Sequence, residues 1–184
     1  ATLIGSVTPT PFVANCTPPI AGTTFLPDGS GISYNTCITV DCYASGQTVT
    51  SAADIANICM TMEHSYLGDL QIEIVCPNGT IVPLKTYAQG GGGTYLGNPI
   101  DDVTSGPGTG LNYCFAMSGG SLMTAGPTVP SGSPSGNAIA AGTYSPASSF
   151  AGLVGCPLNG NWCIKITDNL AADDGYIFGW DVNF

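Results

Sequence analysis

Positive charge is almost absent from this chain. Its 184 residues hold two basic side chains, Lys85 and Lys165, against twelve Asp and Glu, for a net charge of −10. Phosphate contacts need clustered Lys and Arg, so nucleic-acid binding is excluded, and a polybasic membrane anchor with it. Histidine is nearly absent too. His64 stands alone, which excludes a metal hydrolase built on two or more His and leaves a Ser-His-Asp triad one residue to be built on. No apolar run reaches the 18 or more residues of a spanning helix, and 26 Gly and 14 Pro interrupt every candidate. With 8% of residues charged, the surface must be made of Ser, Thr, Gly and Asn.

What the chain does have is cysteine: Cys16, Cys37, Cys42, Cys59, Cys76, Cys114, Cys156 and Cys163. The count is even and no pair has Cys-x-x-Cys spacing, so disulfides are expected rather than zinc. Which of the roughly 105 pairings forms is open. Disulfides imply an oxidising compartment, hence a secreted or surface-displayed protein. The chain opens Ala1-Thr-Leu-Ile with no basic n-region, so the expectation is a mature form or an excised piece.

Two segments alternate apolar and polar residues between turn signals. In one, Leu70, Ile72, Ile74 and Cys76 oppose Asp69, Gln71 and Glu73. In the other, Trp162, Ile164 and Ile166 alternate with Cys163, Lys165 and Thr167, and Tyr176, Phe178, Trp180, Val182 and Phe184 follow on one face. Period-2 alternation means strands with one buried side. The pattern predicts strands over 36–43, 47–50, 56–63, 69–76, 80–86, 111–117, 161–167 and 176–184, with Asn78-Gly79 as the clearest hairpin turn. Only Ser51 to Ala56 looks helical. Many short strands joined by Gly-rich turns mean an all-β sandwich or barrel. Residues 1–25, rich in Pro and Thr, read as an extension or linker before a domain at 26–184. Gly90 to Gly93 and residues 118–149 read as long loops. The Gly run lacks the Gly-Lys-Ser/Thr of a phosphate loop, so a tight turn or close backbone approach is its expected use.

Four segments, in order and spacing, resemble the P domain of subtilisin-like proprotein convertases. They are His64-Ser-Tyr-Leu-Gly-Asp69-Leu-Gln-Ile, Cys76-Pro-Asn-Gly-Thr80, Gly160-Asn-Trp-Cys-Ile-Lys-Ile-Thr-Asp168 and Gly175-Tyr-Ile-Phe-Gly-Trp180-Asp-Val-Asn-Phe184. The stretch from Leu84 through Gly90–Gly93, Tyr95-Leu-Gly-Asn-Pro and Asp101-Asp102 is similar to a subgroup in Bacteroidetes, found in surface proteins exported by the type IX system with gliding and adhesion roles. The resemblance covers about residues 36–184. It implies a jelly-roll-like antiparallel β-sandwich, extracellular placement and room for calcium, but no activity. Eight Cys exceed the usual number in the family, so the staple pattern is this chain's own.

The acidic residues carry the remaining chemistry. Asp101, Asp102, Asp168, Asp173 and Asp174 fall in loops or at strand ends, and Asp69 at a strand start. Asp168 and Asp173 share the loop from Thr167 to Gly175, so they are neighbours in any fold. Clustered carboxylates repel one another without a cation, and calcium accepts carboxylates together with loop carbonyls; these six are the candidate metal ligands. The adjacent pairs Asp101-Asp102 and Asp173-Asp174 suit calcium or solvation better than glycoside hydrolysis. Glu63, Glu73 and Asp181 read as cross-strand partners of Lys165 and of Thr or Asn, and His64 as a residue holding its turn.

The expectation is therefore a non-catalytic extracellular module for adhesion or assembly, with protein partners or copies of itself, up to a surface filament. Residues 1–25 would add a strand to a neighbour's sheet edge. Two alternatives stand beside it: an accessory domain stabilising a secreted subtilisin-like protease, and a carbohydrate-binding module, which would need exposed rings at Tyr66, Tyr87, Tyr95 or Tyr113.

Overall fold

A computed structural model describes residues 16–29, 31–100, 106–132 and 136–184. Among the described residues, twelve strands follow in chain order: β1 (Ile20–Phe25), β2 (Ser33–Val40), β3 (Asn57–His64), β4 (Leu70–Val75), β5 (Ile81–Lys85), β6 (Tyr95–Leu96), β7 (Leu111–Phe115), β8 (Thr128–Ser131), β9 (Gly136–Ile139), β10 (Gly142–Tyr144), β11 (Gly160–Asp168) and β12 (Gly175–Asn183). They form two sheets. The smaller runs β2-β11-β4-β5 and is antiparallel throughout. The larger runs β1-β12-β3-β6-β9-β8, with β7 also pairing β3 and carrying β10. Here β6–β9 and β7–β10 are parallel, the exceptions in an otherwise antiparallel sandwich.

The inner faces supply one core. Ile38 and Val40 of β2, Ile72 and Ile74 of β4, and Trp162, Ile164 and Ile166 of β11 share it with Ile58, Met60 and Met62 of β3, Tyr113 and Phe115 of β7, and Ile177, Trp180 and Val182 of β12. Each such side chain stabilises by about 1.5–3 kcal/mol on burial. The buried rings keep their polar atoms paired. Trp180 Nε1 donates to Thr36 Oγ1 at 2.8 Å, Trp162 Nε1 to the Leu158 carbonyl at 3.0 Å, and Tyr113 Oη to the Ile139 carbonyl at 3.0 Å. The Trp180 bond runs from one sheet to the other and fixes their spacing.

Alternation fails at one place in β12. Tyr176 faces Glu63 and Ile177 faces Met62, but Gly179 faces Thr61. Phe178 is the extra residue of a β-bulge, and parity flips across it. Ile177, not Tyr176 or Phe178, therefore joins Trp180 and Val182 inside. Tyr176 lies outside against Phe25, ring centroids 5.3 Å apart.

All eight cysteines pair: Cys16–Cys42, Cys37–Cys163, Cys59–Cys114 and Cys76–Cys156. Two bridges join residues directly opposite on neighbouring strands, Cys37 with Cys163 and Cys59 with Cys114. Cys76–Cys156 is buried.

Several expectations shift. Of the stretch expected as an extension or linker, residues 20–25 form an edge strand pairing β12 with a register slip between Ala21 and Thr24, and residues 1–15 lie outside the described residues. Five of the strand's six residues are exposed, so no alternation announces it, and backbone bonds hold it. The strand expected at 36–43 lies at 33–40, and 47–50 reduces to one bridge, Thr48 with Pro157. Residues 118–149 are not one loop; β8, β9 and β10 lie there. Their small residues are packing requirements. A Cβ at Gly136 would sit 2.5 Å from the Tyr95 ring, and one at Gly126 2.5 Å from that of Tyr144.

Candidate functional site at the acidic end of the sandwich

β3 ends at His64 and β11 at Asp168, and both side chains are buried, 0% and 1% exposed. The Tyr66 amide donates to His64 Nδ1 at 3.0 Å, so that nitrogen carries no proton. Nε2 carries it and donates to Asp168 Oδ2 at 3.1 Å. Gly175 leaves the room for this, because a Cβ there would overlap the imidazole. The next residue, Ser65, does not address the imidazole. Its hydroxyl donates to Asp173 Oδ1 and to the Asp174 carbonyl, each at 3.3 Å. With both nitrogens engaged in the interior, His64 has none with which to take a proton from a nucleophile. The arrangement ties β3, β11 and the 169–174 loop together.

Asp69 lies beside this pair. Its backbone carbonyl accepts from the amide and the side chain of Asn169, at 3.1 and 2.8 Å. Burial raises the pKa of its carboxyl, and Asp168 and Asp173 add to the rise. Lys85, fully buried, donates to the carbonyls of Leu70 at 2.6 Å and Gly68 at 3.3 Å. The Gly90–Gly93 run folds over the same turn: the Gly68 amide donates to the Gly92 carbonyl at 3.1 Å.

The structure thus brings Asp69, Asp168, Asp173 and Asp174 to one end of the sandwich. Asp101 and Asp102 lie outside the described residues. Sequence reasoning missed Asp28, which joins the group from the turn before β2. Ala172 N donates to its Oδ2 at 3.5 Å, while Oδ1 is buried with no hydrogen-bond partner. Burial raises its pKa, and Asp168 and Asp174 add to that. The turn Leu26-Pro-Asp-Gly docks on the 169–174 loop. There Gly29 lies so close that a Cβ would meet the Ala171 backbone at 2.6 Å, and Ala172 takes a φ of +99°, strained for a residue with a side chain. Among the described residues, no three Asp, Glu, His or Cys side chains converge on one point as a ligand set.

Glu63 departs from its expected cross-strand role. It is buried against Gly97 and Gly108, with the Gly108 amide donating to Oε1 at 3.4 Å, and burial pushes its pKa up to about 7. Glu73 does pair with Lys165 at 3.0 Å, directly opposite in register, whereas Asp181 accepts at 2.7 Å from Asn183 of its own strand rather than across the sheet. Of the tyrosines, Tyr113 is a core residue and Tyr87 is exposed, while Tyr66 and Tyr95 are half-buried against glycines.

These shifts set the pH dependence of stability. Glu63 is raised in the folded state, so between 4.5 and about 7 the native protein holds a proton that the unfolded chain has released, and stability falls as pH rises. Burial pushes Lys85 down to about 8 from 10.5. Between those values the unfolded chain holds the extra proton, and stability rises with pH. Each limb is worth on the order of 3 kcal/mol. The melting temperature is expected to pass through a minimum near pH 7 to 8. Glu63→Gln should flatten the acid limb and Lys85→Met the alkaline one, read by calorimetry from pH 5 to 10.

Residues 54–98 match the family model of the proprotein convertase P-domain. The match spans β3, the Leu67–Asp69 turn, β4, β5 and β6, and so includes His64, Asp69 and Lys85. Asp168 and Gly175, outside the matched segment, are brought by the fold against His64 within it. No curated protein matches the chain. Over this segment the P-domain resemblance is shown, and the family is one of non-catalytic accessory modules. Four disulfides suit an oxidising, extracellular or secreted setting. No helix among the described residues is long and apolar enough to cross a membrane.

Proposed function

We propose that the chain is a non-catalytic extracellular module that works by adhesion and assembly with copies of itself, its acidic end neutralised by calcium. The observation that carries the non-catalytic part is that His64 spends both ring nitrogens inside the fold. Assembly is supported by β1, an edge strand of the larger sheet among the described residues, with residues 21–25 exposed. Unpaired edges are templates for a further strand.

Calcium is supported by the buried, unpartnered Oδ1 of Asp28 among like charges. Asp28 and loop carbonyls would hold it only once Asp173 or Asp174 swings in, since no three carboxylates converge among the described residues and Asp168 is committed to His64. Bound cation would remove the repulsion that now raises the Asp28 and Asp69 carboxyls. Millimolar calcium should raise the melting temperature by several degrees, by mass action on the native state. Asp28→Asn should abolish that response and melt higher than the parent in EDTA. An identical melt with calcium and with EDTA counts against the ion.

The family description itself favours a second reading, an accessory domain of a secreted protease. It predicts that the chain, added to its cognate protease, lengthens that enzyme's half-life.

A further inference from the structure

The β12 bulge builds a second candidate site on the outer face of the larger sheet, away from the acidic end. The bulge turns Phe178 outward, where it forms one wall of an open cleft of about 200 Å³. Gly110 clears the space beside the ring, since a Cβ there would sit 2.5 Å from it. Ile20 and Ala21 of β1 close one side, and Thr61, Asn112 and Asp181 supply the polar groups. Asn112 Nδ2 points toward Thr61 Oγ1 at 3.4 Å, and Asp181 Oδ1 accepts from Asn183 Nδ2 at 2.7 Å.

The chemistry narrows the ligand. Both cations of the chain are elsewhere, Lys85 buried beneath the acidic end and Lys165 paired with Glu73 on the smaller sheet. A cleft without a cation, on a protein of net charge −10, repels phosphates, sulfates and uronates. An ammonium group needs acceptors only, whereas this cleft sets an amide, a hydroxyl and a carboxylate beside one aromatic ring. That set matches a compact neutral ligand with alternating hydroxyls and one apolar C–H face. The volume admits one sugar ring and falls below the roughly 300–1,000 Å³ of pockets that enclose larger ligands. The floor is held before binding, with Cys59 of β3 bridged to Cys114 of β7, so little ordering is lost on contact.

We infer that this cleft is a subsite for a neutral pyranose unit of a glycan, with Phe178 stacking on the sugar ring and Asn112, Thr61 and Asp181 bonding its hydroxyls. The inference deepens the adhesion reading and rests on it. An array of immobilised neutral, acidic and amino-sugar glycans, probed with the whole chain in EDTA, tests it apart from calcium. Retention on neutral glycans is expected, with at least tenfold weaker binding for Phe178→Ala and for Asn112→Ala. The second variant guards against loss of fold, because Asn112 is exposed. Retention on none of the neutral glycans overturns the inference, as does retention that both variants leave unchanged, or a preference for acidic or amine-bearing glycans. A chain that self-associates in light scattering yet binds no neutral glycan sinks this inference alone; one that binds neutral glycans as a monomer sinks the self-assembly instead and upholds the site.

Discussion

Asp168→Ala should lower the melting temperature by about 6–12 °C, corresponding to about 3 kcal/mol in a chain of this length. The substitution leaves His64 Nε2–H at 0% exposure without its acceptor. Stranding a buried donor costs about 1–3 kcal/mol, and the space left by the lost carboxylate adds to it. An opposing effect is present: loss of the Asp168 charge relieves the Asp28 and Asp69 carboxyls, both of which it raises. Those repulsions rank behind burial in each case, so the orphaned donor wins. Asp168→Asn keeps an acceptor and removes the charge, and should recover most of the loss. His64→Ala should cost at least as much as Asp168→Ala, and the double variant no more than His64→Ala alone. Additive losses in that cycle would show that the two residues do not act as a pair.

Removing Cys76–Cys156 should cost more than removing Cys37–Cys163, although the latter closes the longer loop, with a separation of 126 residues against 80. Loop entropy alone assigns both about 4–5 kcal/mol, with the longer loop slightly ahead. Burial reverses the order. Cys76 and Cys156 are 2% and 1% exposed, so paired alanines there also open a cavity, whereas Cys37 is exposed on the outer face of the smaller sheet. The expected losses are about 6–7 kcal/mol for Cys76→Ala/Cys156→Ala and about 4–5 kcal/mol for Cys37→Ala/Cys163→Ala, out of a total of roughly 5–15 kcal/mol for a domain. Urea titration of the two double variants reads the order directly. The opposite order would mean that chain entropy, not packing, governs these bridges.

Legibility followed the side chains. β4 and β11 could be read because a clean apolar alternation is the same object in sequence and in the sheet, and Trp162 and Trp180 went into the core as their face required. The His64–Asp168 pair was visible only as fragments of a family pattern. Its members are 104 residues apart, and no local rule joins them. β1, β8, β9 and β10 were hidden because backbone bonds and ring-on-glycine packing hold them rather than alternating side chains. Phe178 was assigned the wrong face because one extra residue flips parity, and Gly179 was the faint signal of the bulge. Lys85 and Glu63 were unreadable for a different reason. Charged residues are almost always surface residues, and only the fold shows the Leu70 and Gly68 carbonyls, or the Gly108 amide, that let them be buried.

The most direct test of the account is the native mass of the chain by light scattering on a sizing column, with calcium and with EDTA. A calcium-neutralised assembling module should elute as a multiple of the 18.6 kDa chain and fall apart in EDTA. An 18.6 kDa monomer, indifferent to calcium and to EDTA, would contradict it.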